Sequence, residues 1–364
     1  MITSLPTVIA VAILALFTPV RAMSQTATVP WSQCLRQPDA WYGSVEAVRI
    51  ADNLLLYQHD NGGWEKNIDM ASVLTDRQKA VLLAQKKAGE TTIDNGATFS
   101  QMTFLARVSD TAKTERYQKP FLMGLDYLLA AQYDNGGWPQ FFPLRKGYYT
   151  HITFNDNAMI GVMTLLRDIA RKKVPYAFVD ETRRARAEKA AASGTACILK
   201  CQVKVGDKLT VWCAQHNEST FLPASARAYE LVSLSGSESV GITQFLMEIE
   251  RPSPEVIRAV QGAVAWFDAV KLTGIRVERK PDSKGPKGLN RVVVNDPTAP
   301  PLWARFYEIG TNRPMFCDRD GMVKRQLSEI GYERRNGYAW LGDWPHRLLE
   351  TEYPAWRTKW SAAQ

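Results

Sequence analysis

Two short stretches, Asp94-Asn95-Gly96 and Asn155-Asp156-Asn157, place carboxylates and amides where helical patterns begin. Such residues cap helices, because a side-chain oxygen takes the orphan N–H groups of the first turn. The same oxygens also suit a hard cation, and the two carboxylates, Asp94 and Asp156, would equally suit glycosidic hydrolysis if they flanked a scissile bond. Cationic candidates are Arg305, in Ala304-Arg305-Phe306-Tyr307, and Arg319, between Asp318 and Asp320. Taken alone, Arg319 reads as an ion-paired residue on a solvated loop. The histidines His59, His151, His216 and His346 are scattered and no nucleophile elbow accompanies them, so they read as core or cap residues.

The elements that must position these groups are helices. Apolar stripes at helical spacing recur from residue 44 to about 268, as in Phe99/Met102/Leu105, Phe121/Leu125/Leu128 and Ile242/Phe245/Leu246/Ile249. Gln58-His59-Asp60-Asn61-Gly62-Gly63-Trp64 recurs as Gln132-Tyr133-Asp134-Asn135-Gly136-Gly137-Trp138, with a fainter echo at Trp212-Cys213-Ala214-Gln215-His216-Asn217. Each copy ends one helix and is followed by another, the glycines supplying positive φ. Helix pairs repeated in this way fit a stacked or toroidal α/α architecture. Residues 272–301 break the pattern, and Val292-Val293-Val294 within them suggests a hairpin in a long irregular insertion. Trp64, Trp138, Trp340 and Trp344 stand next to glycine turns, where rings either stack on sugars or fill the core.

An apolar run from Leu5 to Val20 with small residues near Ala22 reads as a signal peptide, residues 1–22, and the length of the remainder, 23–364, allows one large domain or two. The expected location is therefore secreted or periplasmic, with no membrane association after cleavage. The 45 basic and 37 acidic residues give a net charge of +8, which favours polyanionic partners. Nucleic acid is set aside, since no homeodomain, RRM or zinc-finger pattern is present and a secretion signal argues against it. Cys34, Cys197, Cys201, Cys213 and Cys317 form no zinc-spaced cluster, and their pairing is left open.

Gly136-Gly137-Trp138-Pro139-Gln140-Phe141-Phe142-Pro143, Thr92-Ile93-Asp94-Asn95-Gly96-Ala97-Thr98, Ala265-Trp266-Phe267-Asp268-Ala269-Val270-Lys271 and Ala304-Arg305-Phe306-Tyr307-Glu308 together resemble polysaccharide lyase family 10, the pectate lyases. Thr311-Asn312-Arg313-Pro314 and Asp318-Arg319-Asp320-Gly321 resemble it too, so the likeness spans about Trp41 to Trp360. The sequence departs from the family pattern at Glu65, Asn217 and Asp318.

The resemblance implies that 23–364 is a single catalytic domain, an all-α (α/α) toroid that cleaves polygalacturonate by calcium-assisted β-elimination; a monomer is expected, although the sequence does not set the oligomeric state. By motif match it implies Arg319 as the base, with Arg305, Lys271 and Asn95 on the substrate, and Asp94, Asn95 and Asp156 on calcium (Ca2+). That chemistry is coherent. Removing a proton α to a carboxylate piles charge onto an anion, which cations stabilise. An arginine base near pH 9.5 costs on the order of 4–6 kcal/mol to hold neutral, so neighbouring cations must depress its pKa. A toroidal glycoside hydrolase and a non-catalytic galacturonan-binding protein are the alternatives.

Overall fold

The computed structural model describes residues 28–87, 89–283 and 285–360; the expected signal segment lies outside them. Helix α1 (Val45–Tyr57) is followed by three antiparallel helix pairs: α2 (Phe99–Thr111) with α3 (Gln118–Ala131), α4 (Ala158–Ala170) with α5 (Glu181–Cys201), and α6 (Glu238–Met247) with α7 (Pro254–Ala269). The first members of the pairs pack successively against one another, and so do the second members. Residues of α2, α4 and α6 line a central cavity of about 860 Å³, so these helices are the inner row of an (α/α) toroid.

Local chemistry sets the helix boundaries. Ser44, Asp180 and Ser253 accept hydrogen bonds from the N–H groups of Ala47, Arg183 and Val256, and Pro254 follows the last of these caps where its missing N–H costs nothing. Gly62 and Gly136 both take φ 92°. A Cβ at either would collide with the carbonyl of Met123 or Ser193 on the next outer helix, so the repeat needs glycine there.

The repeat is a set of side-chain staples. Gln58 donates to the carbonyls of Gly62 and Pro120, Gln132 to those of Gly136 and Ala190, and Gln202 to those of Thr210 and Ala259, all at 2.8–2.9 Å. The buried indoles of Trp64, Trp138 and Trp212 donate back to Leu54, Leu128 and Ile198 at 2.7–2.9 Å. A copy absent from the sequence reading appears here: Trp303 donates to Phe267 at 2.8 Å. Trp64, Trp138 and Trp340 are thus core residues, which leaves none of them to stack on sugar.

The insertion expected over 272–301 contains a regular antiparallel hairpin, β1 (Ile275–Pro281) with β2 (Leu289–Asn295). The cysteines are all buried and unbridged. His216 is a core residue as expected: its Nδ1 lies 2.8 Å from the Phe221 carbonyl, its Nε2 accepts from the Cys213 N–H, and burial lowers its pKa to about 4. No described helix is long and apolar enough to cross a membrane.

Candidate active site

The backbone carries three equivalent turns to one rim of the toroid, each at the start of an inner helix. Thr92, Thr153 and Ser235 donate their N–H groups to the carbonyls of Trp64, Trp138 and Trp212 at 3.1, 3.1 and 2.8 Å. One residue later, Ile93, Phe154 and Gly236 donate to Gln140, Ala214 and Arg305. Those acceptors each lie two positions after a ring tryptophan. Side chains at that position therefore arrive beside the neighbouring turn, and Lys66 occupies it in the first copy.

Asp94 and Asp156 lie on two of these turns, which pack directly against each other. Asp94 is only 3% exposed. Its Oδ2 is bonded by the Lys66 ammonium and by Gln140 Nε2 at 2.6 Å, while its buried Oδ1 has no partner. Asn95, in the left-handed region at φ 51°, donates to Asn67 Oδ1 at 2.9 Å. Asp156, at φ 50°, keeps 37% of its side chain exposed, and it accepts from Arg305 at 3.0 Å and from Asn155 at 2.7 Å.

Arg305 is the buried charge at the centre, 8% exposed. It bonds both Asp156 and the buried Glu238, and its guanidinium lies 4.7 Å from the Tyr338 ring centre. Burial opposes its charge, but Glu238, Tyr338 and Asp156 raise its pKa, so it stays an arginine cation. Tyr338 in turn donates to Glu230 at 2.9 Å, and Glu230 takes a bidentate pair from Arg227. A continuous network therefore runs from Asp156 through Arg305, Tyr338 and Glu230 to Arg227.

The structure thus brings Asp94, Asn95, Asp156 and Arg305 together, and it seats two other expected residues outside the Arg305 network. Arg319, 66% exposed, pairs with Glu333 at 3.1 Å. Lys271 bonds Asp268 at 2.5 Å, one turn back along α7. Sequence reasoning missed Lys66, Gln140, Glu238 and Arg227. The first two were detectable as the second residue after each Gly-Gly-Trp, whereas nothing in Ser235-Gly236-Ser237-Glu238 advertises a buried counter-ion.

The donor set suits a hard cation held partly by substrate. Asp94 offers a buried oxygen with no hydrogen-bond partner among the described residues, an expensive arrangement unless a cation or an ordered water completes it. Asp156 and Asn95 add accessible oxygens, too few for the six to eight that calcium takes, so water and ligand must fill the rest. Among the described residues no group of three or more His, Cys, Asp and Glu gathers as a closed metal cage.

A toroid of paired helices with carboxylates, amides and a buried arginine on one rim suits a protein acting on an anionic polysaccharide, and its likeness to known proteins makes it a polysaccharide lyase. The pectic acid lyase family model matches residues 58–349, and the chain belongs to that family. Two solved structures, both of a family 10 polysaccharide lyase from Cellvibrio cellulosa, are similar at 36% identity and TM-score 0.75. One is a point mutant in complex with trigalacturonic acid and covers 87% of this chain and 94% of that one. The other covers 89% of this chain and 94% of its own. No curated protein matches the chain.

Proposed function

We propose that the protein is secreted and cleaves α-1,4-linked polygalacturonate by β-elimination, assisted by calcium. The observation that carries the reading is the packing of the Asp94 and Asp156 turns beside the buried Arg305, within a chain of the pectic acid lyase family. In the reaction a base takes the C5 proton, the electron pair forms a C4–C5 double bond, and the C4–oxygen bond breaks with protonation of the leaving sugar. Asp94, Asn95 and Asp156 would hold calcium, which when bound neutralises the galacturonate carboxylate and so acidifies the proton at C5. Arg305, kept charged by Glu238 and Asp156, binds the anionic sugar and stabilises charge developing on its carboxylate. Lys271, on the C-terminal side of α7, supplies a further cation to the polymer.

Two arginines compete for the role of base. Arg319 is the sequence's candidate. The geometry favours Arg227, because its segment runs from Pro223, bridged to His216 beside the Asp156 turn, to Ser235, paired with Phe306 next to Arg305. Glu230 raises the Arg227 pKa against the effect of burial, so proton abstraction requires substrate to loosen that pair. Arg227→Lys and Arg319→Lys decide the matter. Lysine keeps charge but loses the guanidinium fork, so the variant of the true base binds oligogalacturonate and fails to turn it over. If Arg319→Lys is the inactive one, the base is Arg319.

The reading as a whole is tested by ultraviolet absorbance of the conjugated product on polygalacturonate, with calcium and then with chelator. A hydrolase releases reducing ends without that absorbance. A galacturonan-binding protein does neither.

A further inference from the structure

Each acidic turn is neutralised by a cation placed two residues after a ring tryptophan, Lys66 for Asp94 and Arg305 for Asp156. The two cations differ in whether they are able to leave. Arg305 also neutralises Glu238, which is 2% exposed, so its departure would strand a second charge in the interior. Lys66 carries no such obligation. Its ammonium touches Asp94 and lies 5.4 Å from the Phe141 ring centre, and its side chain is 28% exposed beside a cavity shared with Asn67 and Asn95. A flexible stem with a strongly hydrated head is suited to exchanging a carboxylate for water.

The carboxylate is prepared for that exchange. Gln140 bonds Asp94 Oδ2 independently of the lysine, and the Asp94 N–H is held by Thr92 Oγ1 at 3.0 Å, so the group stays oriented when the ammonium withdraws. The other oxygen, Oδ1, has no hydrogen-bond partner among the described residues.

We infer that Lys66 is a displaceable counter-ion that occupies Asp94 in the metal-free protein and competes with calcium for its charge, so that Lys66 sets the calcium affinity of the site. This rests on the assignment of Asp94 as a calcium ligand. The lysine gives the buried carboxylate a partner before metal arrives. Its ammonium is then available to the anionic polymer once metal has bound.

Calcium titration of the substrate-free full-length chain by calorimetry tests this, comparing wild type with Lys66→Met, Lys66→Arg and Asp94→Asn. Lys66→Met should bind calcium about tenfold more tightly, the order expected when one neighbouring unit charge leaves a partly solvated site. Lys66→Arg should stay near wild type, and Asp94→Asn should abolish the binding. Unchanged or weaker affinity in Lys66→Met, with Asp94→Asn still abolishing it, overturns the counter-ion role and leaves the metal site standing. Calcium binding that survives Asp94→Asn overturns both. Should Lys66→Met fail to fold, reductively 13C-methylated wild type gives the answer: the lysine resonance missing from Lys66→Arg must shift as calcium saturates the site, and a stationary resonance refutes the inference.

Discussion

The turns at Asp94 and Asp156 share a backbone and differ in where the charge sits. Asn95 and Asp156 are structurally equivalent, at φ 51°, ψ 32° and φ 50°, ψ 32°. The first turn is written Asp-Asn and the second Asn-Asp, so the same frame buries one carboxylate and brings the other to the surface. Asp94 is consequently fixed by Lys66 and Gln140 beneath the rim, whereas Asp156 stays open to solvent on one side and touches Arg305 on the other. The comparison shows how a repeated fold makes an asymmetric site: exchanging two adjacent residues between copies changes depth without changing the main chain.

The contrast breaks most severely if Arg305 is removed. Arg305→Met leaves Glu238 buried without its cation and Asp156 without its anchor, so stability should fall by about 3–5 kcal/mol in denaturant titration and elimination should become undetectable by product absorbance. Asp156→Ala separates function from folding. It should lower activity at least about a hundredfold, while the melting temperature stays near wild type because the side chain is partly exposed. Full activity of the wild type in excess chelator would remove the basis for that expectation.

Exchanging the order in the first turn sharpens the point. Asp94→Asn with Asn95→Asp moves the charge to the exposed position, and calorimetry should show calcium affinity reduced roughly tenfold or more with an unaltered circular dichroism spectrum. The smallest effect concerns His216, whose strand pairs with the one leading into the Asp156 turn. Its pKa is lowered to about 4 by burial, so below the ordinary value of about 6.5 the unfolded chain binds a proton that the folded chain refuses. Stability is therefore whole above about pH 6.5 and declines toward pH 4, with roughly 1 kcal/mol lost by about pH 5.5. His216→Gln should abolish this component of the pH dependence in chemical denaturation.

Much of the architecture was legible because it is written as a repeat. The Gln-x-Asp-Asn-Gly-Gly-Trp copies mark helix ends, and the staples made by Gln58, Gln132, Trp64 and Trp138 explain why those residue types recur. Asp94 and Asp156 were legible for a related reason, since residues opening inner helices must converge on one rim. The copy at Trp303 escaped notice because the β1–β2 hairpin separates it from α7, and no glycine pair precedes it. Glu238 was hidden by a different cause, which also hid what Lys66 does although its position after Gly-Gly-Trp was readable. Their roles arise from contacts between copies, and a sequence pattern within one copy does not encode which side chain of the next will reach it.

The staples between copies also fix an order in time. A ribosome delivers the chain N-terminus first, and the Asp94 turn has its main-chain partner as soon as Gln140 has emerged. The Asp156 turn waits for Ala214, and Gly236, at the start of the third inner helix, for Arg305 itself. Arg305 then needs Trp340, whose carbonyl accepts its N–H at 2.8 Å. Arg305, proposed above to bind the sugar, is thus among the last pieces delivered, and a chain terminated before it carries both acidic turns and should show no elimination product.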